Sequence, residues 1–577
     1  MKEFITNIKK VWKYSSKQKR KIILYYTCQI IDMINGIIGP IVSAIIIAHL
    51  TNKAYYQIII MAFVIFFIDS LYSLCIYFER ILANYIFRES VSNLEIELGK
   101  EILKLDSKSI DDNSSGTFIS RVTKDTSQLA DIFNTLGPNL SQILKNVGIF
   151  IAVFIVNKTC FIFLAVSTTI TFLLDKKRVK IKNKNDKKVR KKDEQATGFI
   201  GEMIRGVRDI KMLNSENSFI NKLQRKIFDA NDERYNTLKE DRIWQYFTNV
   251  TRDLTALGII IILVYLISKD KITPTIALVI YYYSGNTSYV TYSISQLLDS
   301  ITDFNVSCSR VFSLLDNKEF KKEKFGKKHI DEIKGNFEFQ NVTFSYKNNE
   351  KVLNNLSFKI KANETVAFVG KSGAGKTTIF NLLCMMYPNY KGKITIDGID
   401  IKELDKDSIR GNITIISQNP YIFNLSIKEN LQLVKENVTD EEIKEACRLA
   451  CLDTFIDSLK DKYDTIVGEG GINLSGGQKQ RLAIARALIQ KTEIILFDEA
   501  TSALDNETQE HIKKAIDNMK NEYTILIIAH RLSTIINSDR ILFLNEGKIE
   551  AEGTHKELLK KCPEYKQLYE SEIEKKN

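Results

Sequence analysis

Six apolar runs in three close pairs occupy the first ~315 residues, and they leave that part of the chain few possible folds. Residues 22–49 and 56–78 are parted only by a turn around Thr51-Asn52-Lys53, and residues 138–156 and 159–174 by Asn157-Lys158. Residues 254–268 and 275–295 are parted by Ser268-Lys269-Asp270-Lys271. A helix needs about 20 apolar residues to cross a bilayer. Some of the runs are shorter or carry polar residues, yet three hairpins of one plan point to six membrane-spanning helices.

Charge sets their orientation. The N-terminus carries Lys2, Lys9, Lys10, Lys13, Lys17, Lys19, Arg20 and Lys21, and residues 176–192 hold eleven Lys/Arg against one Asp. The three hairpin turns hold few charges, so the positive-inside rule places both termini and the two long connections, 79–137 and 175–253, in the cytoplasm. Those connections are rich in Glu, Lys, Leu and Ile with apolar residues at helical spacing, and read as helices extending the spans inward. The net charge of +12 belongs with these inner loops. The basic run abuts a span and lacks interleaved aromatics, so nucleic acid is not an expected partner. Residues 4–15 place Phe4, Ile5, Ile8, Val11 and Trp12 on one side, as in a short helix along the inner membrane surface.

No secretory signal is expected, because the first apolar stretch is long, holds Asp32, Asn35 and Pro40, and precedes no small-residue cleavage site. The eight cysteines are scattered without CxxC and read as reduced core residues. Abundant Lys, Asn and Ile fit an A/T-rich bacterial genome. A charged stretch, 316–335, with seven lysines, separates this membrane region (1–315) from a soluble α/β region over 336–577.

The soluble region holds the chemistry. Thr365–Val369 reads as a buried strand and runs into Gly370-Lys371-Ser372-Gly373-Ala374-Gly375-Lys376-Thr377, followed by Thr378 and an apolar helix. This is GxxxxGK[ST] in strand–loop–helix context: glycines let N–H groups approach phosphates, Lys376 reaches the β- and γ-phosphates, and the Thr377 hydroxyl ligates Mg²⁺. Ile494–Phe497 is a second buried strand ending in Asp498-Glu499. Asp498 is placed as a second Mg²⁺ anchor, and Glu499 to orient or deprotonate the attacking water. His530 and Gln418 follow two further apolar strands, which puts them at the same sheet edge.

At these residues the chain resembles the ABC transporter family, specifically its exporter-type half-transporters, over about 240 residues of the soluble half. The resemblance implies a fold of two parts: a membrane all-α six-helix domain and an α/β P-loop NTPase domain of the ABC type. It implies ATP and Mg²⁺ as cofactors. Tyr346 resembles the aromatic that stacks on adenine, Gln418 the glutamine that senses Mg²⁺ and the γ-phosphate, and His530 the switch histidine. Thr465–Gly470 is similar to an exporter-specific loop, and Ser502-Ala503-Leu504-Asp505 to the D-loop. Leu474-Ser475-Gly476-Gly477-Gln478 matches the family signature. Ser475 and Gly477 open a helix, an arrangement that favours an anion. In the family that turn completes the γ-phosphate pocket of the opposite chain. Gly116, Ser120-Arg121, Asp125 and Gly206–Lys211 look like the family's patterns near its intracellular loops.

One nucleotide domain and six spans make half of the family's working unit, so a second half-transporter is implied. The intact catalytic set favours a homodimer and leaves a heterodimer open. The resemblance implies ATP-driven export by alternating access in the plasma membrane, of a small-molecule, lipid or peptide substrate. Asp32, Asp69, Tyr281-Tyr282-Tyr283 and Asn286 are candidates to line its path. An N-terminal peptidase domain is not seen, which disfavours a processing peptide exporter. Some siderophore importers share the fold and these motifs; an ATP-gated, non-pumping protein is a third alternative, against which the intact Glu499 argues.

Overall fold

The computed structural model describes residues 2–574 except 16–17, 114, 288, 317–318, 347–349, 436, 469–470, 499–505 and 529–534. They form two compact units: Met1–Leu103 with Ser114–Phe320, and Lys104–Asn113 with Lys321–Asn577.

The first unit is helical. Among the described residues, five helices are long and apolar enough to cross a membrane: Lys19–Leu50, Tyr55–Ile102, Ser115–Val156, Lys158–Arg205 and Glu216–Ser268. The expected sixth span falls on two helices, Pro274–Thr287 and Tyr289–Leu315, on either side of Ser288. Burial follows the logic of a lipid solvent: the most apolar window of Tyr55–Ile102 has no buried residue, because there is no water to hide it from. At 48 residues, Tyr55–Ile102 and Lys158–Arg205 are each roughly 72 Å long. A hydrocarbon core of about 30 Å covers less than half of that, so each helix runs well beyond the part a bilayer can hold.

The hairpin turns have local causes. Asn157 leaves helical geometry (φ −154°, ψ 114°) and its side chain accepts from Thr159 N and Cys160 N; one residue thus ends one helix and caps the next. Asp270 takes a left-handed conformation (φ 52°) in the third turn, and Pro274 opens the following helix, where its missing N–H costs nothing. Helices approach closely where side chains are small: a Cβ on Gly258 would lie 2.4 Å from the Phe163 ring.

The N-terminal helix, Lys2–Ser15, packs part of its apolar stripe against protein. Phe4 and Val11 are buried, Phe4 packs edge-on against Phe304 at 5.5 Å, and Asn7 donates to Asn305 at 2.9 Å. Lys10 pairs with Asp316 at 2.8 Å. Only part of the stripe, including Ile5, stays exposed.

Among its described residues the second unit holds twelve strands: β1 Phe337–Phe344, β2 Leu353–Ile360, β3 Thr365–Gly370, β4 Lys391–Ile396, β5 Ile399–Asp400, β6 Ile413–Ile416, β7 Leu425–Ser426, β8 Ile466–Val467, β9 Ile494–Asp498, β10 Thr524–Ile528, β11 Arg540–Asn545 and β12 Lys548–Gly553. The central sheet has order β12-β11-β3-β10-β9-β6, parallel except for β12 at one edge. Alternate residues serve two cores. Ala367, Val369, Ile495, Phe497, Ile525 and Ile527 face one, which includes the helix Gly476–Gln490. Val366, Phe368, Ile494, Leu496, Leu526 and Ile528 face the other, with the helix Lys376–Leu383 and the antiparallel sheet β2-β1-β4-β5. A sheet covered on both faces reads as unbroken apolar runs in sequence, which is why these strands were legible.

The stretch 316–335 is bonded along its second half. Gly326 N donates to Leu404 O at 2.7 Å, Lys328 N to Glu403 O at 2.9 Å, and Ile333 is buried. All eight cysteines are free. Cys447 is buried in the core beside the helix Gly476–Gln490, where burial pushes its thiol up to about 12.

Candidate nucleotide site

Parallel pairing aligns the C-terminal ends of β3, β9, β10 and β6 at one edge. Phe368 pairs with Ile528, Ile528 with Asp498, and Ile416 with Phe497. Each chain therefore leaves its strand where a ligand can bind outside the sheet.

The loop after β3 is shaped by its glycines. Gly373 and Gly375 have φ of +84° and +96°, which a side chain disfavours. They differ in surroundings: a Cβ on Gly375 would meet Leu353 at 2.6 Å, whereas one on Gly373 would meet nothing within 4 Å. Gly375 is thus required by packing and conformation, and Gly373 keeps an open cradle. Gly370, Lys371 and Ser372 form its first side, and Ala374 N closes the turn onto Lys371 O at 3.2 Å. Lys376, 5% exposed, folds into the loop, and its ammonium donates to Gly370 O at 2.8 Å and Lys371 O at 3.0 Å. An ammonium held by loop atoms suits a polyanion.

Thr377 Oγ1 donates to Asp498 Oδ1 at 3.2 Å, joining the start of the loop helix to the end of β9. A hydroxyl and one carboxylate at this spacing fit Mg²⁺, which takes few protein ligands and keeps water and phosphate oxygens. Thr378 turns inward instead: it is buried, and its hydroxyl lies 3.1 Å from Tyr346 Oη. Tyr346 is 40% exposed, braced edge-on by Phe344 and Tyr387, so a ring face remains available for stacking.

Gln418 follows β6 and is exposed. Its backbone oxygen accepts from Gln480 Nε2 at 3.1 Å. Gln480 is buried on the helix Gly476–Gln490, and two turns on Arg486 donates to Tyr421 O at 3.0 Å, Asn430 O at 3.0 Å and Asn430 Oδ1 at 2.5 Å. Burial lowers the Arg486 pKa. Sequence reasoning missed both residues. Each acts across more than fifty residues of chain, and nothing local marks them.

Ser475 N-caps that helix. Its hydroxyl accepts from Gln478 N at 3.3 Å, and Gln478 Oε1 accepts from Ser475 N at 2.8 Å. This capping box uses two donors and gives Gln478 a structural task. By helix geometry the N–H groups of Gly476 and Gly477 have no acceptor within the helix and remain to face an anion. The exporter-specific loop candidate forms β8, which pairs with β7; its Glu469 and Gly470 lie outside the described residues, as do Glu499, Asp505 and His530.

In the first unit, Asp32 accepts a hydrogen bond from Tyr72, while Asp69 is exposed. Tyr281 and Tyr282 are exposed. Tyr283 is buried and donates to Ile37 O at 2.8 Å, a packing role. The helices Lys19–Thr51 and Tyr55–Ile102 border an open apolar groove of about 790 Å³ lined by Leu24, Cys28, Ile31, Ile38, Leu71 and Phe78, among others, most of them exposed.

Gly373→Ala should leave the fold intact, at a backbone cost of about 1–2 kcal/mol for a left-handed residue, but put a methyl into the cradle. The thermal stabilisation given by ATP should then largely disappear. An ATP-induced shift equal to that of the unaltered protein would mean the polyphosphate lies elsewhere.

Residues 353–502 match the ABC transporter family model, and residues 22–289 the ABC transporter transmembrane region. The chain is 32% identical over 514 residues to an ATP-dependent lipid A-core flippase of Wigglesworthia glossinidia brevipalpis, covering 85% of each. It is 29% identical over 581 residues to an uncharacterized ABC transporter ATP-binding protein of Bacillus subtilis (strain 168), covering 98% of this chain and 94% of that one. In fold it is similar to a bacterial Atm1-family ABC exporter solved with ATP bound, with a TM-score of 0.85 at 23% identity over 96% of this chain and 99% of that one. Two kinds of region, one that binds and hydrolyses ATP and one that crosses the membrane, therefore lie on one polypeptide: the chain belongs to the ABC transporter family, as an exporter-type half-transporter that couples ATP hydrolysis to transport.

Proposed function

We propose that this protein exports an amphipathic substrate from a bacterial cell by alternating access, as a homodimer in the plasma membrane with both termini cytoplasmic. Lys376 and the loop N–H groups hold the ATP phosphates. Thr377, Asp498 and Gln418 hold Mg²⁺, which supplies charge neutralisation at the transferring phosphate. Tyr346 stacks on the base. Glu499 takes the proton of the attacking water, and His530 orients the phosphate end. Ser475 and Gly477 serve the nucleotide held by the opposite chain, with Asp505 at that junction and Gln478 fixing the turn.

The observation that carries this reading is the Thr377–Asp498 hydrogen bond beside an open glycine cradle, in one unit with a capped signature turn. A lipid-like or drug-like amphiphile is supported by relatives named as lipid A-core flippases and suits the open apolar groove between the first two long helices. The test uses inside-out vesicles, ATP, a fluorescent short-chain phospholipid and a lipophilic cationic dye. Accumulation of either probe is expected and should vanish in Lys376→Ala. If neither accumulates, and deletion instead impairs uptake under iron limitation, the direction proposed here is wrong.

A further inference from the structure

The chain passes from the first unit to the second after Phe320, and two glutamates four residues apart flank that point. In the first unit, Arg121 Nη1 and Nη2 donate to the two carboxylate oxygens of Glu319 at 2.9 and 3.1 Å. Arg121 Nη1 also donates to Arg310 O at 3.1 Å and Ser313 Oγ at 2.7 Å, and its guanidinium lies 4.5 Å from the Phe320 ring centroid. Arg121 is 9% exposed and Phe320 1%. It sits at the start of a π-helical turn, Arg121–Asp125, a feature that marks functional positions more often than plain helix does. Phe320 in turn packs on Phe118 at 5.4 Å.

The second unit repeats the device. Arg410 Nη1 and Nη2 donate to the two carboxylate oxygens of Glu323 at 2.9 and 2.6 Å, and Arg410 lies over Phe325 at 5.0 Å. Residues 104–106, from the connection 79–137, are fastened to the same segment: Asp106 N donates to Lys321 O and Glu323 N to Lys104 O, both at 2.9 Å, around an antiparallel bridge between Leu105 and Lys322. Forked arginine–carboxylate pairs fix direction as well as distance. Four residue steps extend to at most about 14 Å, so a segment held at both ends has little slack.

We propose that Glu319–Glu323 is a short coupling strap, clamped by Arg121 in the membrane half and Arg410 in the nucleotide half, that passes nucleotide-driven movement to the membrane helices. Arg121 and Arg410 are positioning residues; neither touches nucleotide. Arg121 also holds the Glu319 carboxyl below its usual range, so the pair is ionised at neutral pH. The inference rests on the alternating-access homodimer proposed above.

The test measures two distances between protomers by spin labelling in liposomes, with Cys75 and Cys451 replaced by Ser. One label replaces Lys566 in the nucleotide half, the other Asp270 in the third hairpin turn. In the otherwise unaltered protein, Mg²⁺-ATP with vanadate should change both distances. In Arg121→Gln, Glu319→Gln and Arg410→Gln the Lys566 change should persist, while the Asp270 change should fall to less than half. The swap Arg121→Glu with Glu319→Arg should recover it. A purely structural role would lower thermal stability and leave the ratio of the two changes alone, which would overturn the strap. So would loss of both changes together, which would place these residues in nucleotide-domain closure. If the unaltered protein shows no Asp270 change at all, alternating access itself fails and the strap falls with it.

Discussion

Lys376→Ala should bring ATP hydrolysis by the purified protein down to background, a loss of at least about 100-fold, since removal of one preorganised charge-stabilising group at a reacting centre typically costs 10²–10³. The residue is buried, and the partners of its ammonium are the carbonyls of Gly370 and Lys371. Alanine removes the positive charge proposed to face the transferring phosphate and leaves two loop carbonyls without this donor. The effect is therefore double: the loop loses its internal tie and the phosphates lose their counter-charge. About 100-fold corresponds to about 2.7 kcal/mol at the transition state. Lys376→Arg is expected to rescue little, because a planar fork does not fit where a point charge is bound by two convergent carbonyls. Phosphate release in nanodiscs reads the result, and an Ala variant with full turnover would remove the phosphate loop from the mechanism.

Glu499→Gln should separate binding from turnover. Glu499 directly follows in sequence Asp498, the last residue of β9, whose carboxylate accepts from Thr377. Glutamine keeps size and hydrogen bonding but cannot take a proton. Hydrolysis is expected to fall by about 10²–10⁴, the usual contribution of a general base, while ATP binding is retained. With cleavage blocked, ATP should stay between two nucleotide domains and hold the chains together. Cross-linking of the two nucleotide domains in the presence of ATP, increased over the unaltered protein, is the expected signature. Hydrolysis at the unaltered rate would reassign the base.

Much of the nucleotide site was legible because its determinants are local. The glycines, Lys376 and Thr377 sit within eight residues of one another, and the strands that carry Asp498 and Gln418 announce themselves as apolar runs. The bonds between distant segments were not legible. Gln480 reaches Gln418 across 62 residues and Arg121 reaches Glu319 across 198, with no spacing rule to connect them. The N-terminal helix shows a third case. Periodicity shows an apolar face that something must cover but not what covers it, and Phe304 packs on Phe4, one residue of that face. Gln478 differs again: its side chain was read for chemistry, and its hydrogen bond caps a helix.

The alternation along β9 has a consequence for how this gene can change. Leu496 and Asp498 share a parity, and so the carboxylate emerges on the side of the sheet that carries the helix of Thr377, while Phe497 faces the helix of the signature. Losing or gaining a single residue inside this strand would reverse every following side chain, sending Asp498 to the wrong face and Phe497 into the wrong core at once. The carboxylate proposed to anchor the metal and the packing of the domain are written in one reading frame of two. The long membrane helices have no such frame, and their extensions can lengthen or shorten by whole turns. Variation among descendants of this chain should therefore concentrate in the helices, with length changes in β9 purged even where they spare every named residue.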